Sequence, residues 1–321
     1  MTPENTARKD AAPEGVAPAG GVASCSVAPD GGATASAQKR QRNDIPPEKL
    51  IEVTSDTKKI DFTKPYKYIY FEWWFRLLTF PVLLLLYPVA AAAALYFGLR
   101  VSGCEHKRIL RKQGCIIIAN HCHYFDTVFA GKAVFPRRLH VSVAQRNYEV
   151  PVVRRILRMV QAFPIPARPT GFRMIMDAVG EALRRKQHVL VLPEGDLVYL
   201  SQEIYRFKPG AFYWSCLNQA PILPIAYVFT KRYRRNGSVH THRPRIRQVW
   251  GEPLHPPPMR ADGSFPKAEL HEMMEKAACW MEDAIAYYGD GGTTADAIER
   301  ALDNAAADAV SEPGEPEGQL A

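Results

Sequence analysis

From Leu77 to Leu99 the chain reads LLTFPVLLLLYPVAAAAALYFGL, 23 residues without a charged side chain. A helix of that length crosses a hydrocarbon core of about 30 Å, so any fold must either bury this run or give it to lipid. Tyr66, Tyr68, Tyr70, Phe71, Trp73, Trp74 and Phe75 precede it, and rings of this kind collect where bilayer meets water. Pro81 and Pro88 interrupt the run, so a kinked span and a re-entrant helical hairpin are both expected forms. Lys58, Lys59, Lys64 and Lys67 lie before it. Arg100, Lys107, Arg108, Arg111 and Lys112 abut its far end, which favours a cytoplasmic C-terminal side. The segment 49–102 is read as membrane-anchoring, with the domain that follows on the cytoplasmic face of a plasma or inner membrane.

The flanks differ in composition. Residues 1–48 are rich in Ala, Gly, Pro, Ser and Thr and have no apolar core near Met1, which excludes a secretory signal and predicts a disordered arm. The arm closes on Lys39-Arg40-Gln41-Arg42, read as a solvated linker. Residues 289–321 carry eight acidic side chains against the single Arg300, and are read as an acidic disordered tail. The whole chain of 321 residues nevertheless has a net charge of +8, which suits an anionic partner such as a lipid surface. Nucleic acid is not expected, because no recognition motif accompanies the charge. The six cysteines, at 25, 104, 115, 122, 216 and 279, include no Cys-x-x-Cys pair and read as small buried hydrophobes.

After Gly103 short apolar runs alternate with amphipathic ones. Strands are expected over Cys115–Ala119, Leu139–Ala144, Val189–Leu192 and Ile222–Phe229. Helices are expected over Pro151–Gln161, Phe172–Lys186, Ala211–Leu217 and Lys267–Tyr288. The alternation predicts one α/β domain over 103–288, a mostly parallel sheet flanked by helices.

Functional groups in such sheets gather at the carboxyl ends of strands. The first strand delivers Asn120-His121-Cys122-His123-Tyr124-Phe125-Asp126. An imidazole takes a proton from a hydroxyl near neutral pH, and a carboxylate on its other nitrogen fixes the tautomer. Positions i and i+5 do not share a face of one helix. The pair therefore needs a strand-to-helix corner, with His121 in the turn and Asp126 in the first helical turn. A second strand ends in Pro193-Glu194-Gly195-Asp196, and Phe207-Lys208-Pro209-Gly210-Ala211 and Pro221-Ile222-Leu223-Pro224-Ile225 follow.

These blocks, in this order, resemble the motifs of the glycerolipid acyltransferases typified by 1-acylglycerol-3-phosphate acyltransferases: the first, Asn-His-x4-Asp, at Asn120–Asp126, the second at Phe163–Arg168, the third, Pro-Glu-Gly, at Pro193–Gly195 with a Phe-Lys-x-Gly-Ala element after it at Phe207–Ala211, and the fourth, a Pro-rich apolar strand, at Pro221–Ile225. The resemblance implies transfer of a fatty acyl group from acyl-CoA or acyl-carrier protein, as co-substrate and with no cofactor or metal, onto a lysoglycerolipid hydroxyl. That hydroxyl is first of all that of 1-acylglycerol-3-phosphate, giving phosphatidic acid. His121 would be the general base and Asp126 its orienting carboxylate, with Glu194, Gly195, Arg168 and Lys208 holding the acceptor. Two departures concern the head group. The third motif continues Gly195-Asp196-Leu197 where relatives have Gly-Thr-Arg, and the second, Phe163-Pro164-Ile165-Pro166-Ala167-Arg168, carries its arginine one place late. Both leave a different lysolipid or a polyol as the alternative acceptor. His123 reads as a hydrogen-bonding histidine and Cys122 as a bystander. A zinc hydrolase built on His121 and His123 is a weaker reading, since Asp126 comes one place late for the His-x-His-x-Asp-His pattern and Thr127 follows it. A non-catalytic lipid-binding protein would have no need of the His–Asp pair. The basic stretches Lys231–Arg235 and His240–Arg247 are open to two readings, a solvated loop or a contact for anionic lipid heads or a carrier's phosphopantetheine.

Overall fold

The run Ile116–Ala119 is buried at every position because it is the middle strand of a sheet covered on both faces. Ile116 and Ile118 point into one core, while Cys115, Ile117 and Ala119 point into the other. The computed structural model describes residues 42–46, 60–62, 64–166, 172–233 and 243–289. Residues 1–41 and 47–48 of the expected arm, 290–321 of the expected tail, Arg168 and positions 234–242 of the basic stretches lie outside them.

Among the described residues, seven strands form one sheet in the order β1-β7-β6-β2-β5-β3-β4. They are β1 (Arg100–Ser102), β2 (Ile116–Ala119), β3 (Leu139–Ala144), β4 (Ala162–Ile165), β5 (His188–Val191), β6 (Ile222–Thr230) and β7 (Arg245–Trp250). Five strands run parallel, and β7 pairs antiparallel to β6 and parallel to β1. Ile116 sits opposite Val189 on one side and Ile222 on the other, so the ends of β2, β5 and β6 open at one edge. The mostly parallel α/β expectation holds. The helices are α1 (Trp73–Phe97), α2 (Asp126–Val134), α3 (Gln145–Tyr148), α4 (Pro151–Met159), α5 (Phe172–Arg184), α6 (Gly210–Asn218) and α7 (Lys267–Tyr288). One face of the sheet packs against α5, α6 and α7 through Val179, Leu183, Phe212, Met281 and Ile285. The other packs against α2 and the end of α1 through Phe129, Val134, Ala94 and Phe97.

Three elements depart from the sequence reading. Residues 245–247, part of a basic stretch open to a loop or an anionic-contact reading, belong to β7, where Ile246, Gln248, Val249 and Trp250 are buried while Arg245 is exposed and Arg247 half-buried. Arg247 donates to Ser102 Oγ (2.9 Å) and lies over Tyr288. The domain also begins before 103, because β1 adds Arg100–Ser102 to the sheet beside β7. The third is β4, which holds Pro164 and is tolerated because it is an edge strand that pairs with β3 alone.

The apolar run is one continuous helix, so the hairpin alternative does not hold: α1 passes through Pro81 and Pro88 and ends at Gly98, whose left-handed φ of 62° lets the chain turn into β1. Twenty-five residues make it about 37 Å long. Its buried residues, Phe75, Thr79, Ala90, Ala94 and Phe97, fall on one side of the helix. Contacts with the domain run along its length. Arg138 donates to Arg76 O (3.2 Å), Tyr87 meets Phe135 (centroids 5.0 Å), and Arg243 donates to Tyr96 O (2.7 Å). The helix therefore lies lengthwise on the domain, with Leu77, Leu84, Leu85, Val89 and Leu95 turned outward. The preceding aromatics divide. Trp73 (76% exposed) and Trp74 (50%) face out as an interfacial belt would. Tyr68, Ile69 and Phe62 instead enter the core beside Ile116 and Val189, so this stretch is domain wall rather than anchor.

Candidate functional site

The end of β2 is fixed before any chemistry begins. Asn120 extends the sheet with its side chain: Tyr227 N–H on β6 donates to Asn120 Oδ1 (2.8 Å), and Asn120 Nδ2 donates to Tyr227 O (3.1 Å). A primary amide carries the same donor and acceptor as a peptide group, so it completes the ladder where the strand stops. His121 is then held by its backbone to the loop after β5. Its N–H donates to Glu194 Oε2 (3.2 Å), and its carbonyl accepts from Val198 N–H (3.2 Å). Cys122 O likewise accepts from Leu200 N–H (2.7 Å).

The expected corner is present, with α2 starting at Asp126. His121 Nδ1 lies 3.2 Å from Asp126 Oδ2, the imidazole partly exposed and the carboxylate fully buried. The same Oδ2 accepts the N–H groups of Cys122 (2.9 Å) and His123 (2.8 Å). Asp126 thus staples the turn that carries His121 as well as meeting its ring. Burial pushes the Asp126 carboxyl up, and the hydrogen bonds from His121, His123 and Cys122 pull it back. Behind it runs a buried polar chain: Tyr227 Oη donates to Asp126 O (2.6 Å), Gln248 Nε2 donates to Tyr227 Oη (2.9 Å), and Trp250 Nε1 donates to Gln248 Oε1 (3.2 Å). Sequence reasoning missed Tyr227 and Gln248. The signal was a glutamine in a strand whose neighbours are apolar, hidden by the arginines beside it.

The bystanders are accounted for. His123 is buried against Phe97 (centroids 4.7 Å), its Nδ1 accepts Phe125 N–H (3.2 Å), and burial lowers its pKa. Cys122 is buried, which raises its thiol well above the usual range, so it is no thiolate nucleophile. Cys115 and Cys216 are buried too, and Cys104 is exposed. His140 and His188 sit in β3 and β5, held neutral by burial at about 4 each. Among the described residues no group of three or more His, Cys, Asp or Glu is placed to hold a metal ion.

Glu194 and Lys208 come together as expected. Glu194 is buried, and desolvation raises its carboxyl to about 8. Gly195 has φ +91°, a backbone conformation that side-chain-bearing residues rarely adopt, and the Lys208 ammonium folds over it. Lys208 N–H is tied to Pro193 O (2.8 Å). Glu194, Asp196, Arg206 and Lys208 line a cavity of about 390 Å³, closed on one side by Asp44 and Ile45. Those last two belong to residues 42–46, which the sequence assigned to the arm. Arg42 reaches Glu275 (2.5 Å) and Glu282 (2.7 Å) on α7, and Asn43 O accepts Arg206 N–H (3.1 Å). Two arginines near the cavity have acidic partners: Arg206 meets Asp44 (3.9 Å), and Arg146, from α3, meets Asp196. Lys208 has no carboxylate at ion-pair distance among the described residues.

Residues 99–228 match a family model described as Acyltransferase. A curated relative, 1-acyl-sn-glycerol-3-phosphate acyltransferase beta from Homo sapiens, is 29% identical over 135 residues, which is 41% of this chain and 48% of that protein. The chain thus spans about half the length of the curated relative it matches. A solved structure, the 1-acyl-sn-glycerophosphate (LPA) acyltransferase PlsC from Thermotoga maritima, aligns with TM-score 0.45 at 16% identity, covering 63% of this chain and 79% of that one. The matched segment 99–228 contains all four motifs, from Asn120 to Ile225. Over that segment the chain resembles the glycerolipid acyltransferases.

Proposed function

We propose that this protein is an acyltransferase that moves a fatty acyl group from a thioester, acyl-CoA or acyl-carrier protein, onto the free hydroxyl of a lysoglycerolipid. The observation that carries the reading is the His121 Nδ1–Asp126 Oδ2 pair at 3.2 Å, with the imidazole partly exposed and the carboxylate buried. With Nδ1–H donated to Asp126, Nε2 is the basic nitrogen. It accepts the proton of the acceptor hydroxyl while the oxygen attacks the thioester carbonyl. When the tetrahedral intermediate collapses, the C–S bond breaks and Nε2–H protonates the leaving thiolate, so the proton leaves with the thiol and His121 is restored. Asp126 stabilises the imidazolium between the two steps. Such proton transfer contributes about 10²–10⁴-fold.

The acceptor reading is 1-acylglycerol-3-phosphate, converted to phosphatidic acid. It rests on Lys208, a cavity cation with no carboxylate at ion-pair distance among the described residues, beside Glu194, whose carboxyl burial raises to about 8. One observation favours a second reading, a zwitterionic lysolipid. Asp196 and Asp44 bring carboxylates to the same cavity, and these suit an amine next to a phosphate. Arg168 keeps its place as a proposed phosphate contact on motif resemblance alone. The reaction is proposed for the surface of a plasma or inner membrane, at its cytoplasmic face, with α1 giving its outward leucines to lipid.

The test is acyl transfer by the membrane-bound protein from labelled acyl-CoA and acyl-carrier protein to a panel of lysolipids, with His121→Ala in parallel. Wild type acylates an acceptor, and the variant loses at least about 10²-fold. Preference for 1-acylglycerol-3-phosphate supports the first reading; preference for a choline or ethanolamine lysolipid supports the second. A His121→Ala protein as active as wild type sinks the assignment.

A further inference from the structure

We infer that α4 is a second membrane contact, an amphipathic helix that seats its apolar face on an anionic lipid surface beside the start of α1. In α4 the apolar residues Val152, Val153 and Ile156 share one side at 3.6 residues per turn, Arg158 lies opposite them, and Arg154 and Arg155 lie on either side of Arg158. A helix on a water-soluble domain turns such an apolar side inward. Here the arrangement is reversed. Val152 is 68% exposed and Ile156 57%, and no residue of the helix is buried. It is Arg158 that meets the protein. Arg158 donates to Tyr66 Oη (3.4 Å), and its guanidinium lies 6.0 Å from the ring centres of both Tyr70 and Tyr148. These tyrosines hold α4 with its valines outward.

Two features choose lipid as the occupant. The first is continuity: Tyr66 and Tyr70 lead directly into α1, whose first turn exposes Trp73 and Trp74, so α4 is tied to the stretch that enters the apolar helix. The second is charge. Exposed Arg155 and the partly exposed Arg154 flank the apolar side, as in helices that lie in the plane of an anionic interface. Lys, Glu or Ser at 152, 153 and 156 would serve a helix meant for water equally well.

The test uses the full chain carrying Cys25→Ser and Cys104→Ser, with one cysteine restored by Ile156→Cys and labelled with an environment-sensitive nitrobenzoxadiazole. Leu85→Cys on the outward face of α1 and Glu272→Cys at an exposed position of α7 are the controls. The protein is reconstituted into vesicles of phosphatidylcholine containing phosphatidylglycerol. The label at 156 should emit to the blue, be quenched by doxyl groups on the acyl chains and resist aqueous iodide, as at 85 and opposite to 272. In pure phosphatidylcholine its emission should move toward the value seen at 272. A label at 156 open to iodide while 85 is quenched from within the bilayer overturns the inference and leaves α1 as the sole contact. If both 85 and 156 stay in water, the membrane reading of α1 fails with it. Equal insertion at 156 with and without phosphatidylglycerol overturns the requirement for anionic lipid.

Discussion

At the scale of residues, the His121–Asp126 pair depends on the groups that hold the backbone of its turn. Glu194 accepts His121 N–H and has a carboxyl raised to about 8. Its folded-state pKa is above its unfolded value near 4.3, so the native state holds the extra proton. Its contribution to stability is fully present below the unfolded value and is lost as pH rises through about 8. Glu194→Gln keeps an acceptor for His121 N–H and cannot ionise. Chemical denaturation at a series of pH values should find the variant's stability flatter than wild type between about pH 5 and 8, with the two diverging most at the alkaline end. Identical pH dependence would mean that Glu194 is ionised in the native protein.

At the scale of elements, residues 42–46 matter more than their composition indicates. Arg42 is nearly buried between Glu275 and Glu282, and that anchorage sets Asp44 and Ile45 against the cavity. Arg42→Ala leaves two partly exposed carboxylates without their partner, a loss of about 1–3 kcal/mol after solvent screening. We expect a lower melting temperature and, in the transfer assay, a KM for the acceptor that rises while kcat changes less, because the wall of the cavity moves and the His–Asp pair does not. A kcat loss as large as that of His121→Ala would instead put Arg42 in the support of the pair. Elements of this kind also mark where sequence reading stops. Strands β2, β3, β5 and β6 were legible because burial on both faces forces runs such as Ile116-Ile117-Ile118. The corner at Asp126 was legible because i and i+5 cannot meet on a helix. By contrast β7 was hidden by arginines that lie on neighbours across the sheet, and β1 by its length of three residues. Arg42 and Arg146 find their acids 233 and 50 positions away, a separation that no local pattern encodes.

At the scale of the whole molecule, the decisive relation is between α1 and the sheet. Both ends of the helix join one domain: Tyr68 and Ile69 enter the core before it, and β1 pairs with β7 after it. On the proposed membrane reading, charges on its two flanks would lie on one side of a bilayer. Lys64→Cys and native Cys104, both exposed, should react with a membrane-impermeant maleimide from the same side of sealed vesicles. Labelling from opposite sides would restore a transbilayer helix. The lengthwise seat has a practical corollary for anyone wishing to handle the protein without detergent. Trimming the hydrophobic helix, the usual shortcut to a water-soluble catalytic fragment, would here strip the cover from Phe129 and the neighbours of Ala94 and Phe97. It would also cut the chain at the residues that lead into β1. Recoding the outward leucines to polar side chains, with Phe75, Thr79, Ala90, Ala94 and Phe97 left in place, is the route that keeps the fold.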